Sequence, residues 1–142
     1  MVQHGKALAA AHELAPGPRP DRLLTRLAAN EHALVNASRR LTTAATENRR
    51  ITPAGEWLLD NFYLIEEQIR TARRHLPRGY SVGLPRLANG PSAGQPRVYD
   101  LMLEIVSHGD GRVDAEELCR FIAAYQTVSA LKLGELWAIP IM

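Results

Sequence analysis

The sequence predicts an all-α fold: two long antiparallel helices, two or three shorter helices and one long Pro/Gly-rich loop. Three observations predict it. Apolar residues recur at three- and four-residue spacings through most of the chain, the period of a helix with one buried face. Helix start and stop residues bracket those stretches. The one long aperiodic stretch, residues 77–96, holds four Pro and four Gly, as a loop between helices would.

Residues 1–20 end in PGPRP, Pro16 to Pro20, and read as a disordered or extended lead-in outside the fold. The helical module is expected over 21–142. Asp21 is the expected cap of the first long helix, 21–46. Its apolar positions are Leu23, Leu27, Leu34, Ala37, Leu41 and Ala44, with Asn30 in the gap, a spacing that suits packing on another helix. The second helix, 52–75, has Thr52 as N-cap and Pro53 at its first position. Its stripe is Leu58, Phe62, Ile65, Ile69, Ala72 and Leu76, and Pro77 with Gly79 stops it. Matching seams and a short link over 47–51 make the two an antiparallel hairpin.

A twenty-residue loop is uncommon inside a compact domain and is usually functional or pinned. After the 77–96 loop, a third helix is expected from Pro96 or Arg97 to Ser107, and a fourth after Asp114 through Leu118, Phe121, Ile122 and Tyr125. Leu131–Met142 reads as the first turns of another helix that stops within its most apolar part, so the module reads as truncated at its C-terminus.

The stretch SHGDGRVDAEELCRFI, Ser107 to Ile122, invites comparison with a calcium-binding EF-hand loop. Placing Glu117 at the twelfth position puts Gly111 at the sixth, Asp110 at the fifth, His108 at the third and Val106 at the first. Valine offers no side-chain oxygen and imidazole is a poor ligand for a hard cation, so calcium is not expected. The stretch reads instead as a turn followed by a helix with Asp114 as N-cap and Glu117 closing a capping box.

With 142 residues, 46% apolar content and a net charge of +2, the chain can build a core, and its charge alone does not argue for nucleic acid. The charge is uneven: residues 21–50 hold six Arg against three acids, and 101–142 hold three basic residues against six acids, which suits docking to a larger partner or internal pairing. The single cysteine, Cys119, excludes an internal disulfide and is expected as a half-buried structural thiol. No secretory signal and no membrane-spanning run appears.

Catalytic patterns are missing from the sequence. Glu66 and Glu67 are adjacent, diverge by about 100° on a helix, and are better explained by pairing with Arg70, Arg73 and Arg74. Arg70, Arg73, Arg74 and Arg78 form a candidate basic patch that also complements the helix dipole. His4, His12, His32, His75 and His108 show no metal-binding spacing such as H-x₃-H, so no metal and no cofactor is expected. Trp57 and Tyr63 are candidates for stacking a sugar, but aromatics on an amphipathic helix more often pack in a core.

Three segments carry a specific resemblance: ITPAGEWLLDNFYLIEEQI (Ile51–Ile69), LPRGYSVGLPRLANGPSAGQPRVYDL (Leu76–Leu101) and LKLGELWAIPIM (Leu131–Met142). Together they resemble the N-terminal region of cyclic β-1,2-glucan synthases, large bacterial inner-membrane proteins. In that family such a run precedes membrane helices, a family-84 glycosyltransferase domain and a phosphorylase-like glycosidase domain. The resemblance covers about residues 21–142. Residues 35–46, together with Asn89, Ser92 and Lys132, depart from the pattern, and Lys132 stands where a hydroxyl cap would be expected.

The resemblance implies a part in making cyclic β-1,2-glucan from UDP-glucose through a glucosylated protein intermediate. It gives this chain no catalytic residues, since those lie in domains it lacks. The expected role is a non-catalytic scaffold or docking element on the cytoplasmic side of the inner membrane. The expected partner is the remainder of a synthase, or a second copy of the chain through self-association. The candidate docking surface is Tyr80, Leu84, Pro85, Leu87, Pro91, Pro96, Trp137 and Ile139. The alternative from a different class is a free-standing helical adaptor that binds a protein or an anionic polymer.

Overall fold

The computed structural model describes residues 2–17, 20, 22–109 and 112–142. It is all-α. The helices are α1 (Val2–Ala11), α2 (Leu23–Thr46), α3 (Pro53–Asp60), α4 (Phe62–His75), α5 (Arg97–His108), α6 (Ala115–Gln126) and α7 (Leu133–Ala138), with 3₁₀ turns at Tyr80–Gly83 and Ile139–Ile141. No helix among the described residues is long and apolar enough to cross a membrane. The chain divides into two compact units, Asp21–Arg78 and Met1–Pro20 with Gly79–Met142.

The Asp21–Arg78 unit is the expected hairpin. Leu41 on α2 lies against Gly55 on α3, and Glu31 on α2 pairs with Arg73 on α4. One number falls as the other rises, so the strands of helix run antiparallel. The expected seam residues are the least exposed ones: Ile69 is buried, and Leu58, Phe62, Ile65, Leu27, Leu34 and Leu41 are half-buried. Asn30 is exposed, and the gap in the α2 stripe is filled by Glu31, four residues after Leu27. Arg73 holds that carboxylate with both terminal nitrogens. Neither Glu66 nor Glu67 pairs with an arginine among the described residues, so the reading of local pairs within α4 is corrected.

Thr52 caps α3 as expected, its hydroxyl accepting from the Gly55 N–H at 3.2 Å, with Pro53 first in the helix. The expected continuous helix over 52–75 is interrupted at Asn61. There the side-chain amide and the backbone N–H both donate to the Trp57 carbonyl, at 2.8 and 3.0 Å. Asn competes with the helical ladder by bonding the preceding turn. The periodic apolar stripe carries no sign of this, because it continues across the break.

In the other unit, α5 and α6 form the core with Leu101, Met102, Ile105, Phe121, Ile122 and Tyr125. Asp114 caps α6 as expected, its carboxylate accepting from the Glu117 N–H at 2.9 Å. Val106, the would-be first calcium ligand, lies inside α5, while Asp110, Gly111 and the expected cap Asp21 lie outside the described residues. Cys119 is exposed, which corrects the half-buried reading. It stands about 100° around the helix from Leu118, off the stripe that α6 buries.

Residues 1–20 are not an extended lead-in throughout. Val2–Ala11 is helical, and Ala9 joins the core. A β-carbon on Gly5 would stand 3.0 Å from the Phe121 carbonyl oxygen and 3.4 Å from its ring. Small residues at positions 5 and 9 therefore let α1 approach α6 closely. A face made of Gly and Ala has little hydrophobic signal, so periodicity passes over it.

The 77–96 loop is pinned. Residues 13–15 lie alongside 86–88: Ala88 N–H donates to the Glu13 carbonyl at 2.7 Å, and Ala15 N–H to the Arg86 carbonyl at 2.8 Å. Leu87 exchanges bonds with Gly94 and Gln95, and the turn between them uses Gly90 and Gly94 at φ of 78° and 83°. Only glycine adopts such angles without strain.

Candidate functional site

The most highly organised polar site is the buried group around Arg97 and Glu135, at 2% and 0% exposure. Arg97 opens α5 and Glu135 stands in the first turn of α7. The guanidinium donates to both carboxylate oxygens, Nε at 2.6 Å and Nη2 at 2.8 Å. Its remaining bonds go to the Ser129 hydroxyl (2.8 Å) and the Ala130 carbonyl (2.6 Å). The hydrogen bond to Glu135 holds the guanidinium charged more firmly than usual, against the opposing effect of burial. Glu135 also accepts from the Lys132 N–H at 2.8 Å. That is the glutamate half of a capping box. Lysine has no acceptor for the other half, so the missing hydroxyl cap is replaced from one side only.

The Arg97 guanidinium lies 5.9 Å from the centre of the Tyr125 ring. The Tyr125 hydroxyl meets His12 Nδ1 at 2.8 Å, and His12 Nε2 meets Asp100 at 3.1 Å. A carboxylate only accepts, so Nε2 carries a proton, and in the neutral ring Nδ1 then accepts from tyrosine. Burial pushes the Tyr125 hydroxyl pKa up, while the nearby Arg97 charge opposes the shift. An acid with a raised folded pKa contributes stability that is present below its unfolded value, 10.0, and lost as pH rises beyond it. Unfolding followed by circular dichroism should therefore show stability falling above pH 10, with a shallower fall in Tyr125→Phe.

Arg86, also buried, organises the loop. It donates to the Gly94 carbonyl at 2.9 Å and to the Ser81 carbonyl at 3.0 Å. Arg86 Nε and Gln95 Oε1 are buried and find no hydrogen-bond partner among the described residues.

These networks correct the candidate docking surface. Leu84, Leu87 and Pro96 are buried in their own unit, where Leu84 packs with Val98 and Ala138. Tyr80 and Pro85 are half-buried, and the Tyr80 hydroxyl donates to the Gly134 carbonyl at 3.0 Å. Ile139 is half-buried against the core, and Pro91 is exposed. Trp137, at 71% exposure, and Leu133, at 69%, stand out from α7 at i, i+4 spacing and so share a face. Trp57 and Tyr63 are exposed, at 60% and 62%, against the reading that they pack in a core. Arg70, Arg73, Arg74 and Arg78 are all exposed in the Asp21–Arg78 unit, with Arg73 engaged by Glu31. A shallow groove of about 530 Å³ at the α2–α3 turn is lined by Asn48, Arg49, Arg50 and Glu56, with Arg49 paired to Glu47.

His4, Glu104 and His108 come together between α1 and α5, with one ligand atom from each within 4.8 Å of the others. A search for paired histidines at fixed spacing misses this group, because His4 is brought in by tertiary packing. Arg97 and Glu135 were also missed, yet a signal existed. Glu135 falls four residues after Leu131 and three before Ala138, both buried. A charge on an apolar stripe asks for a buried partner.

No family model matches the sequence. The chain is 34% identical over 125 residues to the cyclic beta-(1,2)-glucan synthase NdvB of Rhizobium meliloti (strain 1021). The match takes in 88% of this chain and 4% of that protein, so the chain spans a small part of the relative it matches. The resemblance read from the sequence is borne out.

Proposed function

We propose that the chain is a helical module of a cyclic β-1,2-glucan synthase, serving as a scaffold or docking element rather than as a catalytic centre. The synthase as a whole would build cyclic β-1,2-glucan from UDP-glucose, with this module on the cytoplasmic side of the inner membrane. One observation carries the reading. Segments 76–101 and 131–142, two of the three that carry the resemblance, are tied to each other through Arg97 and Glu135, and the same short helix turns Leu133 and Trp137 outward. An exposed tryptophan on a rigidly anchored helix is the kind of side chain that dominates protein interfaces. Arg97 and Glu135 direct their hydrogen bonds to each other and to Ser129, Ala130 and Lys132 of their own unit, which supports an architectural role for them.

The test is a transplant. This chain replaces the matching segment of NdvB, and cyclic glucan is measured in cells with and without Leu133→Ser and Trp137→Ser together. Glucan production by the transplant, and its loss in the double variant with unchanged helicity of the isolated chain, is the expected result. Equal production by both would remove the docking role. Glucosyl transfer from UDP-glucose by the isolated chain would overturn the non-catalytic reading. The adaptor alternative rests on the exposed arginines of α4 and would show as salt-sensitive binding of the isolated chain to an anionic polymer.

A further inference from the structure

We propose that His4, Glu104 and His108 form a binding site for a zinc-class divalent ion that ties α1 to α5. Glu104 and His108 are four residues apart on α5 and share a face. The close approach of α1 to α6 at Gly5 delivers His4 to that face. His4 Nε2 stands 2.8 Å from Glu104 Oε1, and His108 Nδ1 stands 3.5 Å from the same oxygen. The two imidazole rings lie 4.4 Å apart, centre to centre, tilted by 42°. His108 Nδ1 also donates to the Glu104 carbonyl oxygen at 3.0 Å, a bond that an incoming ion would replace.

The spacing suits a small metal ion. Ligand atoms about 2.0–2.1 Å from a tetrahedral zinc stand about 3.3 Å from each other. The two measured distances to Glu104 bracket that value. The nitrogens of His4 and His108 that face Glu104 both donate to oxygens there, so a shared ion takes the place of a proton on each ring. The donor set decides which ion. Two imidazoles and one carboxylate suit zinc, nickel or copper, and disfavour calcium and magnesium, which prefer oxygen. The three side chains are 36%, 30% and 46% exposed, so an ion can enter from solvent and keep a water ligand. Two histidines and a glutamate with one open position is a coordination set that zinc accepts. The same three residues without a metal would be a polar contact between helices, and the two cases differ in one measurable respect.

That measurement is a calorimetric titration of the tag-free chain with zinc chloride. Cys119→Ser serves as the parent, so that the exposed thiol supplies no ligand. Cobalt is added in parallel, because a tetrahedral cobalt site absorbs visibly. One zinc per chain at micromolar concentration is expected, with His4→Ala and His108→Ala each weakening it about tenfold or more. Glu104→Gln keeps a hydrogen-bond acceptor for His4 and removes the charge. It should weaken zinc similarly while the metal-free circular dichroism stays the same. Zinc should also raise the melting temperature of the parent and not of His108→Ala, since a ligand that binds only the folded state stabilises it. No stoichiometric binding by the parent, or unchanged affinity in both His108→Ala and Glu104→Gln, would overturn the site. Neither readout involves glucan, so the site stands or falls separately from the role in a synthase.

Discussion

Glu135→Ala should destabilise the protein by about 3–5 kcal/mol, the usual cost of leaving one member of a buried ion pair without its partner. The Arg97 guanidinium would keep its charge and its 2% exposure while losing two of its hydrogen bonds. The Lys132 N–H would lose its acceptor at the start of α7 as well. The measurement is urea denaturation read by circular dichroism, with the variant's midpoint shifted well below that of the parent. A companion pair, Arg97→Met with Glu135→Leu, removes both charges together. It should cost far less, because a buried pair replaced by apolar groups of similar size is often close to neutral. If Glu135→Ala loses under about 1 kcal/mol, water reaches the arginine and the pair is no structural anchor.

Phe121→Ala is the second large effect, expected at about 3–5 kcal/mol from lost burial plus the cavity left behind. The ring is fully buried. It lies against the site of Gly5, so its removal takes away the surface on which α1 packs. Native-state hydrogen exchange should show the amides of α1 losing protection before those of α5. Retained protection over Val2–Ala11 in this variant would mean that α1 is held by the loop bonds at residues 13–15 rather than by α6. Phe121→Leu should recover most of the loss, since it restores much of the volume.

The hairpin of the Asp21–Arg78 unit was legible because amphipathic periodicity is a local property. Leu27, Leu34 and Leu41 share one face of α2 by their spacing alone, as Phe62 and Ile69 do on α4, and Thr52 with Pro53 marks a helix start through bonds within one turn. The same holds for Asp114, whose carboxylate caps the helix that begins at the next residue. The break at Asn61 was not legible, because a side chain that bonds its own backbone leaves the apolar pattern intact. The resemblance to glucan synthases was legible as well, since it lies in the order and spacing of residues along the chain.

Side-chain partners from distant parts of the chain were beyond reach. Arg97 and Glu135 are 38 residues apart, and His12 reaches Asp100 across 88. Periodicity does not name such partners, because hydrogen bonds between remote side chains depend on where the backbone carries them. The sequence alone therefore settles the all-α class, the helical hairpin, the caps at Thr52 and Asp114 and the resemblance, all of which rest on neighbours within a few turns or on residue order. Only the tertiary structure decides that Val2–Ala11 joins the core, that the 77–96 loop closes around Arg86, and that His4 meets Glu104 and His108. The physical reason is the same in each case: a glycine–alanine face, a Pro/Gly loop and a lone histidine acquire meaning from what packs against them.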